Sequence, residues 1–178
     1  MMDVTTRPLT EQDLPRVAEL LDSTLGAGFW DLDVQQSGSH RAAVADGIIV
    51  GVASAVIAEA TGELAGLAAP VGLVRIAAVA EDARGCGVAT RLVREVCDAC
   101  AAAGAADLAA FAWVHGPEGS APLAGVLRRL GFTRARRLVD FYSSSGMQCC
   151  PACGQVPCAC PADLYVRSDA KSADPHPR

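Results

Sequence analysis

The stretch Arg84-Gly85-Cys86-Gly87-Val88-Ala89 joins two regular segments of different kinds. Before it, the apolar run Val71 to Val79 predicts a strand, and after it the spacing of apolar residues predicts a helix that stops at Gly104. At such a junction the unpaired amides of the first helical turn point above the sheet, and glycine lets a ligand approach the backbone closely. We therefore predict an anion cradle that fits a pyrophosphate.

The glycine turn by itself does not prove a ligand site. Strand-to-helix turns that contain glycine are common in α/β proteins, and such a turn need bind nothing. The dinucleotide fingerprint G-x-G-x-x-G is not met, because Thr90 stands where a third small residue is expected. No G-K-S or G-K-T follows, so the P-loop pattern is not met either. The order of the surrounding elements has to decide between these interpretations.

The composition is that of one ordinary domain. The chain has 178 residues, of which 51% are hydrophobic but only 4% aromatic, so we expect a core of Val, Leu, Ile and Ala. We assign residues 1–168 to this domain and the polar residues 169–178 to a disordered tail. The net charge of −5 argues against broad nucleic-acid binding. No apolar run reaches the roughly 18 residues of a membrane span, and the first residues lack the pattern of a secretory signal. We expect a soluble, cytoplasmic protein.

Turn and cap signals divide the chain into an alternating order of strands and helices. Thr10 and Asp13 have the spacing of a capping box before a first helix, and Asp46-Gly47 suits a tight hairpin turn. Ser120 is predicted to cap a later helix. Residues 26–40 show no clear period. The predicted strands are Val4 to Pro8, Arg41 to Ala45, Ile48 to Glu59, Val71 to Val79, Asp107 to Val114, Phe132 to Tyr142 and Leu164 to Val166.

This order, with two motifs, resembles the GNAT acyltransferase superfamily, whose members use acetyl coenzyme A (acetyl-CoA). The stretch Val79-Ala80-Glu81-Asp82-Ala83-Arg84-Gly85-Cys86-Gly87-Val88-Ala89 matches the family pattern V-x-P-x-x-R-G-x-G-x-G/A except at Glu81, and Leu130-Gly131-Phe132 resembles the L-G-F that closes the family's last helix. The resemblance covers residues 4 to 143. It implies an α/β (α+β) fold with a mixed, mostly antiparallel central sheet flanked by helices. It also implies acetyl transfer from acetyl-CoA to a primary amine by direct attack.

The resemblance further implies which residues bind the two substrates. Amides from Arg84 to Ala89 would hold the pyrophosphate, main-chain groups near Val79 would pair with the pantetheine arm, and Trp113 would lie across the opening between two strands. Trp113 is assigned to acceptor binding together with Phe29 and Trp30. Phe29 and Trp30 would line an acceptor pocket, or alternatively pack the first helix on the sheet. The acceptor is expected to be a small-molecule or peptide amine, and a homodimer is left open. The residues assigned to acetyl-CoA are Val79, Arg84, Gly85, Cys86, Gly87, Val88, Ala89, Thr90 and Ser120.

The acid and base that are usual in the family are both missing. Where many members carry a tyrosine that protonates the leaving thiolate, this chain has Leu127, and the central strand has Arg75 as its only charge. We assign Tyr142 and His115 as catalytic substitutes, because a phenol can act as acid and an imidazole can take a proton through water. The ordinary alternatives are a structural strand aromatic and a loop histidine without a role. The alternative function is therefore a degenerate CoA-binding sensor or a zinc-knuckle interaction module.

Five of the eight cysteines crowd into residues 149–160. Cys150-Pro151-Ala152-Cys153-Gly154 has the C-P-x-C-G form of a metal knuckle, and Cys158 and Cys160 complete a set of four thiolates. A closed four-thiolate site suits structural zinc. A disulfide pair, iron in the same ligands and metal-free thiols stay open, and Cys149 is a spare thiol. We expect the metal, between the last two strands, to shape one wall of the acceptor pocket.

Overall fold

The computed structural model describes residues 3–26, 38–144 and 150–168. Within them the strands form one seven-stranded sheet in the order β1-β2-β3-β4-β5-β7-β6. Here β4 and β5 run parallel, and every other pair of neighbours is antiparallel. The predicted mixed, mostly antiparallel sheet is confirmed. The strands are β1 Val4–Pro8, β2 Ser39–Ala45, β3 Ile48–Ala58, β4 Val71–Val79, β5 Asp107–Trp113, β6 Thr133–Leu138 and β7 Ala162–Ser168.

Helices cover both faces of the sheet. They are α1 Leu14–Leu25, α2 Val88–Ala102 and α3 Ala124–Arg129. The helix α1 packs against β3 and β4, while α2 and α3 share a larger core cluster with residues of β2 to β5. The apolar stripe predicted for α2 is confirmed, and its buried residues are Val88, Leu92, Val93, Val96, Cys97 and Cys100.

A partly buried ion pair fixes the chain where it turns into α1. Asp13 is buried and accepts two hydrogen bonds from Arg7, at 2.6 and 2.7 Å. The Thr10 backbone N–H and hydroxyl also donate to Asp13, each at 2.8 Å, so the predicted capping box is confirmed. The Arg7 side chain holds the pKa of the Asp13 carboxyl well below its usual range. The four donors together order the segment that joins β1 to α1.

Several predicted boundaries differ from the structure. The predicted strand from Phe132 to Tyr142 is β6, which ends at Leu138, because the chain turns at Asp140, where φ is 50°, into a short 3-10 helix over Phe141–Ser144. The short predicted strand Leu164 to Val166 is β7, a longer strand that pairs with β5 on one side and β6 on the other. Because β7 pairs with a strand on each side, it extends beyond the apolar residues Leu164 to Val166 from which it was predicted.

The hairpin turn between β2 and β3 is confirmed. Asp46 and Gly47 both have positive φ, 49° and 78°, as a tight primed turn requires.

No helix in the described residues is long and apolar enough to cross a membrane.

Candidate active site

A cleft of about 600 Å³ opens where β4 and β5 diverge. The two strands pair over Val71–Val74 and Asp107–Ala110, and no further pairing joins them beyond that ladder in the described chain. Residues 75–79 of β4, with Phe111 and Trp113 of β5, line the cleft instead. The divergence therefore creates a slot between two neighbouring strands.

The predicted cradle lies at this cleft. Gly85 and Gly87 both have a φ of 80°, in the left-handed region that glycine adopts without strain, and Gly87 immediately precedes α2. The Arg91 N–H donates to the Gly87 carbonyl at 3.0 Å, so the amides of residues 88–90 have no partner inside the helix. These three residues and both glycines line the cleft. The turn and the helix start thus supply a set of donors suited to a phosphate.

Arginine side chains add positive charge to the cradle. The Arg84 Nε donates to the Val79 carbonyl at 3.1 Å, which holds the guanidinium group at the end of β4. Arg129 of α3 also lines the cleft. No aspartate or glutamate lines it in the part of the chain that the structure describes. Charge, amide donors and the helix dipole therefore all favour an anionic ligand.

Aromatic side chains form another part of the cleft wall. Trp113 is buried, and its ring centroid lies 4.0 Å from that of His115 and 6.0 Å from that of Tyr142, the latter edge to face. The rings of Phe111 and Phe141 lie 4.5 Å apart. The structure thus brings together three predicted site residues, one assigned to the acceptor and two to catalysis.

His115 has the geometry of a neutral proton acceptor. Its Nδ1 lies 3.2 Å from the Trp113 carbonyl, which can only accept, so Nδ1 carries the proton and Nε2 is the acceptor of the neutral ring. Desolvation lowers the pKa of His115, the bond to Trp113 opposes this, and the charge of Arg84 lowers the pKa further. The imidazole is therefore neutral at pH 7.

Tyr142 has the opposite character. Its side chain is buried, and burial raises the pKa of the phenol well above its ordinary value, with a further rise from the neighbouring Cys158 and Cys160. The phenol therefore stays protonated over the whole physiological range. Tyr142 therefore carries the proton that an acid needs, but its raised pKa makes it a weaker acid than an exposed phenol.

Arg75 lines the cleft, which the sequence did not indicate. Ser54 pairs with Ile76 and the next residue, Ala55, pairs with Val74, so Arg75 is the extra residue of a β-bulge in β4. Its side chain is exposed, lines the cleft and forms no ion pair with any described residue. The charge was readable from the sequence, but the bulge that sets its position was not.

The sequence of this chain matches a known protein family. Residues 6–132 match the Acetyltransferase (GNAT) family. The chain belongs to this family of acetyltransferases. The matched range contains the cradle, the diverging strands and α3, whereas the cysteine cluster lies outside it. A search of curated protein sequences finds no match.

Solved structures share the fold of this GNAT protein. The IAA acetyltransferase from Bacillus cereus ATCC 14579 is 16% identical, with a TM-score of 0.69 over 93% of this chain and 99% of that one. Arabidopsis thaliana NAA60 in complex with acetyl-CoA is 18% identical, with a TM-score of 0.69 and the same two coverages. The ribosomal-protein-S18-alanine N-acetyltransferase from Escherichia coli is 14% identical, with a TM-score of 0.68 over 99% of this chain and 100% of that one. At these identities the likeness concerns the fold.

Some predicted site residues of the GNAT chain do not line the cleft. Cys86 is exposed and lies outside the lining, although its neighbours on both sides belong to it. Ser120 is exposed, does not line the cleft and does not cap α3, which begins at Ala124 without a side-chain cap. Phe29 and Trp30 lie outside the described residues, as does Cys149.

The structure also adds lining residues that the sequence did not indicate. Thr24 and Leu25, in the last turn of α1, line the cleft. Their helix was predicted, but the side of the sheet on which it packs was not, so no sequence signal pointed to them.

The cysteine cluster of this GNAT acetyltransferase lies behind the aromatic wall. Cys150, Cys158 and Cys160 are buried in one cluster with Trp113 and Tyr142, and both aromatic residues line the cleft. The cluster belongs to the connection between β6 and β7, as predicted.

The four thiols of the cluster are close together and free. The sulfur atoms of Cys150, Cys153, Cys158 and Cys160 all lie within 4.8 Å of one another, and none forms a disulfide. Backbone amides, first of Gln155, lower the pKa of the Cys153 thiol to about 6. Burial raises the pKa of Cys160, while the Trp113 N–H beside it acts in the opposite direction.

Proposed function

We propose that this chain is an N-acetyltransferase that moves the acetyl group of acetyl-CoA to a primary amine by direct attack in a ternary complex. The observation that carries the proposal is the set of unpaired amides at the start of α2, which open into the slot between β4 and β5. Membership of the GNAT family supports acetyl transfer in general. The NAA60 structure contains acetyl-CoA in the same fold, which supports this donor.

The proposed role of the cradle is to bind and orient the donor. The amides of residues 88–90 and the guanidinium of Arg84 would bind the pyrophosphate, and the slot would direct the rest of the molecule toward Trp113. Acetyl-CoA supplies the thioester that the amine attacks. Because the two reactants are held side by side, positioning contributes much of the rate and no covalent enzyme intermediate is needed.

The proposed proton transfers use the two aromatic residues beside Trp113. The attacking amine must lose one proton, which His115 Nε2 would accept directly or through a water molecule. The carbon–sulfur bond breaks as the carbon–nitrogen bond forms, and the departing sulfur needs one proton, which the protonated phenol of Tyr142 would supply. The products are an N-acetyl amine and free CoA, so the protons balance.

A second candidate function has its own observation. Leu127, at the position of the family's usual tyrosine, is fully buried in the core, so this position has lost any part in proton transfer. A GNAT fold that binds CoA without turnover would act as a sensor. The four-cysteine segment would then act as an interaction module. The transferase needs Tyr142 and His115 for proton transfer, whereas the sensor does not.

The proposed enzyme also contains one zinc ion, held by the four thiols of Cys150, Cys153, Cys158 and Cys160. We propose a structural role for this ion, because four thiolates leave no open coordination position.

One experiment separates these functions. Calorimetric titration with acetyl-CoA measures donor binding, and release of the CoA thiol is then followed over a panel of small amines and peptide N-termini. Binding with turnover supports the transferase, and loss of turnover but not of binding in Tyr142→Phe supports the acid role. Binding without turnover on any acceptor favours the sensor. A chain that does not bind CoA contradicts both.

A further inference from the structure

Residues 150–160, in the connection between β6 and β7, form neither a helix nor a strand. The connection begins and ends at one place, because Leu138 pairs with Ala162 across the two strands. In the described part, 150–160, the cysteines supply the buried side chains, while Val156 is 66% exposed. A segment that buries so little apolar surface needs a cross-link to keep one conformation.

The sulfur positions fit such a cross-link by a metal ion. A tetrahedral zinc site with zinc–sulfur bonds of ~2.3 Å has sulfur–sulfur distances of about 3.8 Å. The Cys150 and Cys160 sulfurs lie 3.7 Å apart, and those of Cys153 and Cys158 lie 3.9 Å apart. A disulfide would need about 2.05 Å, so the observed spacing matches ligands around a shared ion.

Backbone N–H groups orient two of the four sulfur atoms. The Cys153 N–H donates to the Cys150 sulfur and the Cys160 N–H donates to the Cys158 sulfur, each at 3.4 Å. Gly154, with a φ of 67°, donates its N–H to the Cys150 carbonyl at 2.8 Å and closes the knuckle turn. Such outer hydrogen bonds orient the ligands of metal sites.

One buried donor in the acceptor wall has no partner of its own. The Nε1 atom of Trp113 is buried and has no acceptor with good hydrogen-bond geometry within the described residues, although its N–H lies close enough to the Cys160 sulfur to lower the pKa of that thiol. An unsatisfied buried donor destabilises the fold, and a metal-bound thiolate is an acceptor that can satisfy it.

We propose that the Trp113 indole N–H donates a hydrogen bond to the sulfur of Cys160 and so ties the cleft to the zinc ion of Cys150, Cys153, Cys158 and Cys160; this inference rests on the zinc ion of the proposed function. The zinc site then holds the acceptor wall of the cleft in place through Trp113 and Tyr142, which touch the cysteines on one side and line the cleft on the other. This inference does not depend on acetyl transfer, because zinc binding and the state of Trp113 are measured without substrates.

The first test measures the metal in the full chain. Protein purified from zinc-supplemented cells should contain one zinc per chain by elemental analysis, and its cobalt-substituted form should show the absorption bands of a tetrahedral cobalt thiolate. Cys153→Ser should lose the metal, whereas Cys86→Ser, the matched exposed cysteine outside the cluster, should keep one zinc. Iron in place of zinc, or a chain that binds neither zinc nor cobalt, would overturn the assignment.

The second test addresses the link to the cleft and uses folded, zinc-loaded variants. Trp113→Phe keeps an aromatic ring but removes the N–H, and loss of an outer hydrogen bond of this kind typically lowers metal affinity about 10–100-fold. Zinc affinity is measured by competition with a chromophoric chelator, with Trp30→Phe as the control for loss of a tryptophan. Unchanged zinc affinity in Trp113→Phe would overturn the proposed bond.

Fluorescence gives an independent reading of the same link. In Trp30→Phe, Trp113 is the sole tryptophan, since the chain contains two. Removal of zinc should shift its emission to the red as the buried indole becomes exposed to water, and added zinc should restore it. Emission that does not respond to zinc would show that the ion does not hold the wall.

Discussion

The replacement Gly87→Ala tests whether the turn before α2 binds acetyl-CoA. Gly87 has a φ of 80°, and an added Cβ would meet no atom within 4 Å, so the direct effect on the fold is backbone strain alone. A left-handed residue other than glycine costs about 1–2 kcal/mol. We expect the free energy of unfolding to fall by about that amount. Relaxation of the strained turn would move the amides that follow it.

Gly47→Ala is the matched control for this strain. Gly47 has a φ of 78°, an added Cβ would likewise meet no atom within 4 Å, and the residue lies in the β2–β3 hairpin turn, outside the cleft lining. Both variants should therefore lose similar stability in urea unfolding. They should differ in their affinity for acetyl-CoA.

The size of that difference follows from the lost donors. A hydrogen bond to a charged group contributes about 1.5–3 kcal/mol, and about 1.4 kcal/mol corresponds to a factor of ten. Misalignment of one amide in Gly87→Ala should thus raise the Kd for acetyl-CoA at least about tenfold by calorimetry, while Gly47→Ala keeps the wild-type Kd. Equal, unchanged affinities in the two variants would refute the cradle.

Three further predictions concern single side chains. Asp13→Asn should lower the free energy of unfolding by about 2–3 kcal/mol, less than for a fully buried pair because Arg7 is 43% exposed. The pKa of Asp13 is lower in the folded than in the unfolded state. Its contribution to the free energy of unfolding is therefore present above the unfolded pKa of about 3.9 and is lost progressively as the pH falls below that value. In urea unfolding, the difference between the variant and the wild type should be smaller at pH 3 than at pH 7. His115→Gln should flatten the acid limb of kcat/KM, because in the wild type protonation of His115 as pH falls removes the base; an unchanged limb would assign it to the amine alone. Arg75 lines the cleft with no ion-pair partner among the described residues, so we expect it to bind a carboxylate on the acceptor. The wild-type enzyme should then prefer amines that carry a carboxylate over the corresponding amides by about tenfold, from one charged hydrogen bond. Arg75→Gln should lose this preference, and an equal ratio in both enzymes would exclude Arg75 from acceptor binding.

The features that the sequence predicted correctly are those set by local chemistry. The apolar stripe of α2, the Asp46-Gly47 turn and the strand-turn-helix junction at Gly87 depend on residues close in the chain, and all three are confirmed. Features that depend on distant partners were missed. The length of β7 comes from pairing on both edges, and the position of Arg75 comes from a mismatch of register with β3.

The candidate site divides in the same way. The cradle residues could be named from a motif, because one continuous stretch forms them. The wall of Trp113, Tyr142 and the cysteines joins β5 to the β6–β7 connection, and Thr24 and Leu25 reach it from α1. Which of these side chains meet depends on the packing of the whole sheet, so the sequence could suggest candidates but not their neighbours.

The position of β7 constrains how the chain can be synthesised and folded. β7 follows every other described strand in the chain, yet it lies between β5 and β6 in the sheet. Until β7 leaves the ribosome, the edge of β5 that pairs with β7 is open, and β6 has no partner among the described strands. Open edges of this kind invite pairing with other chains. The cysteine segment, residues 150–160, is synthesised immediately before β7. If its cysteines bind a metal ion, the segment would bring β7 to its place between β5 and β6.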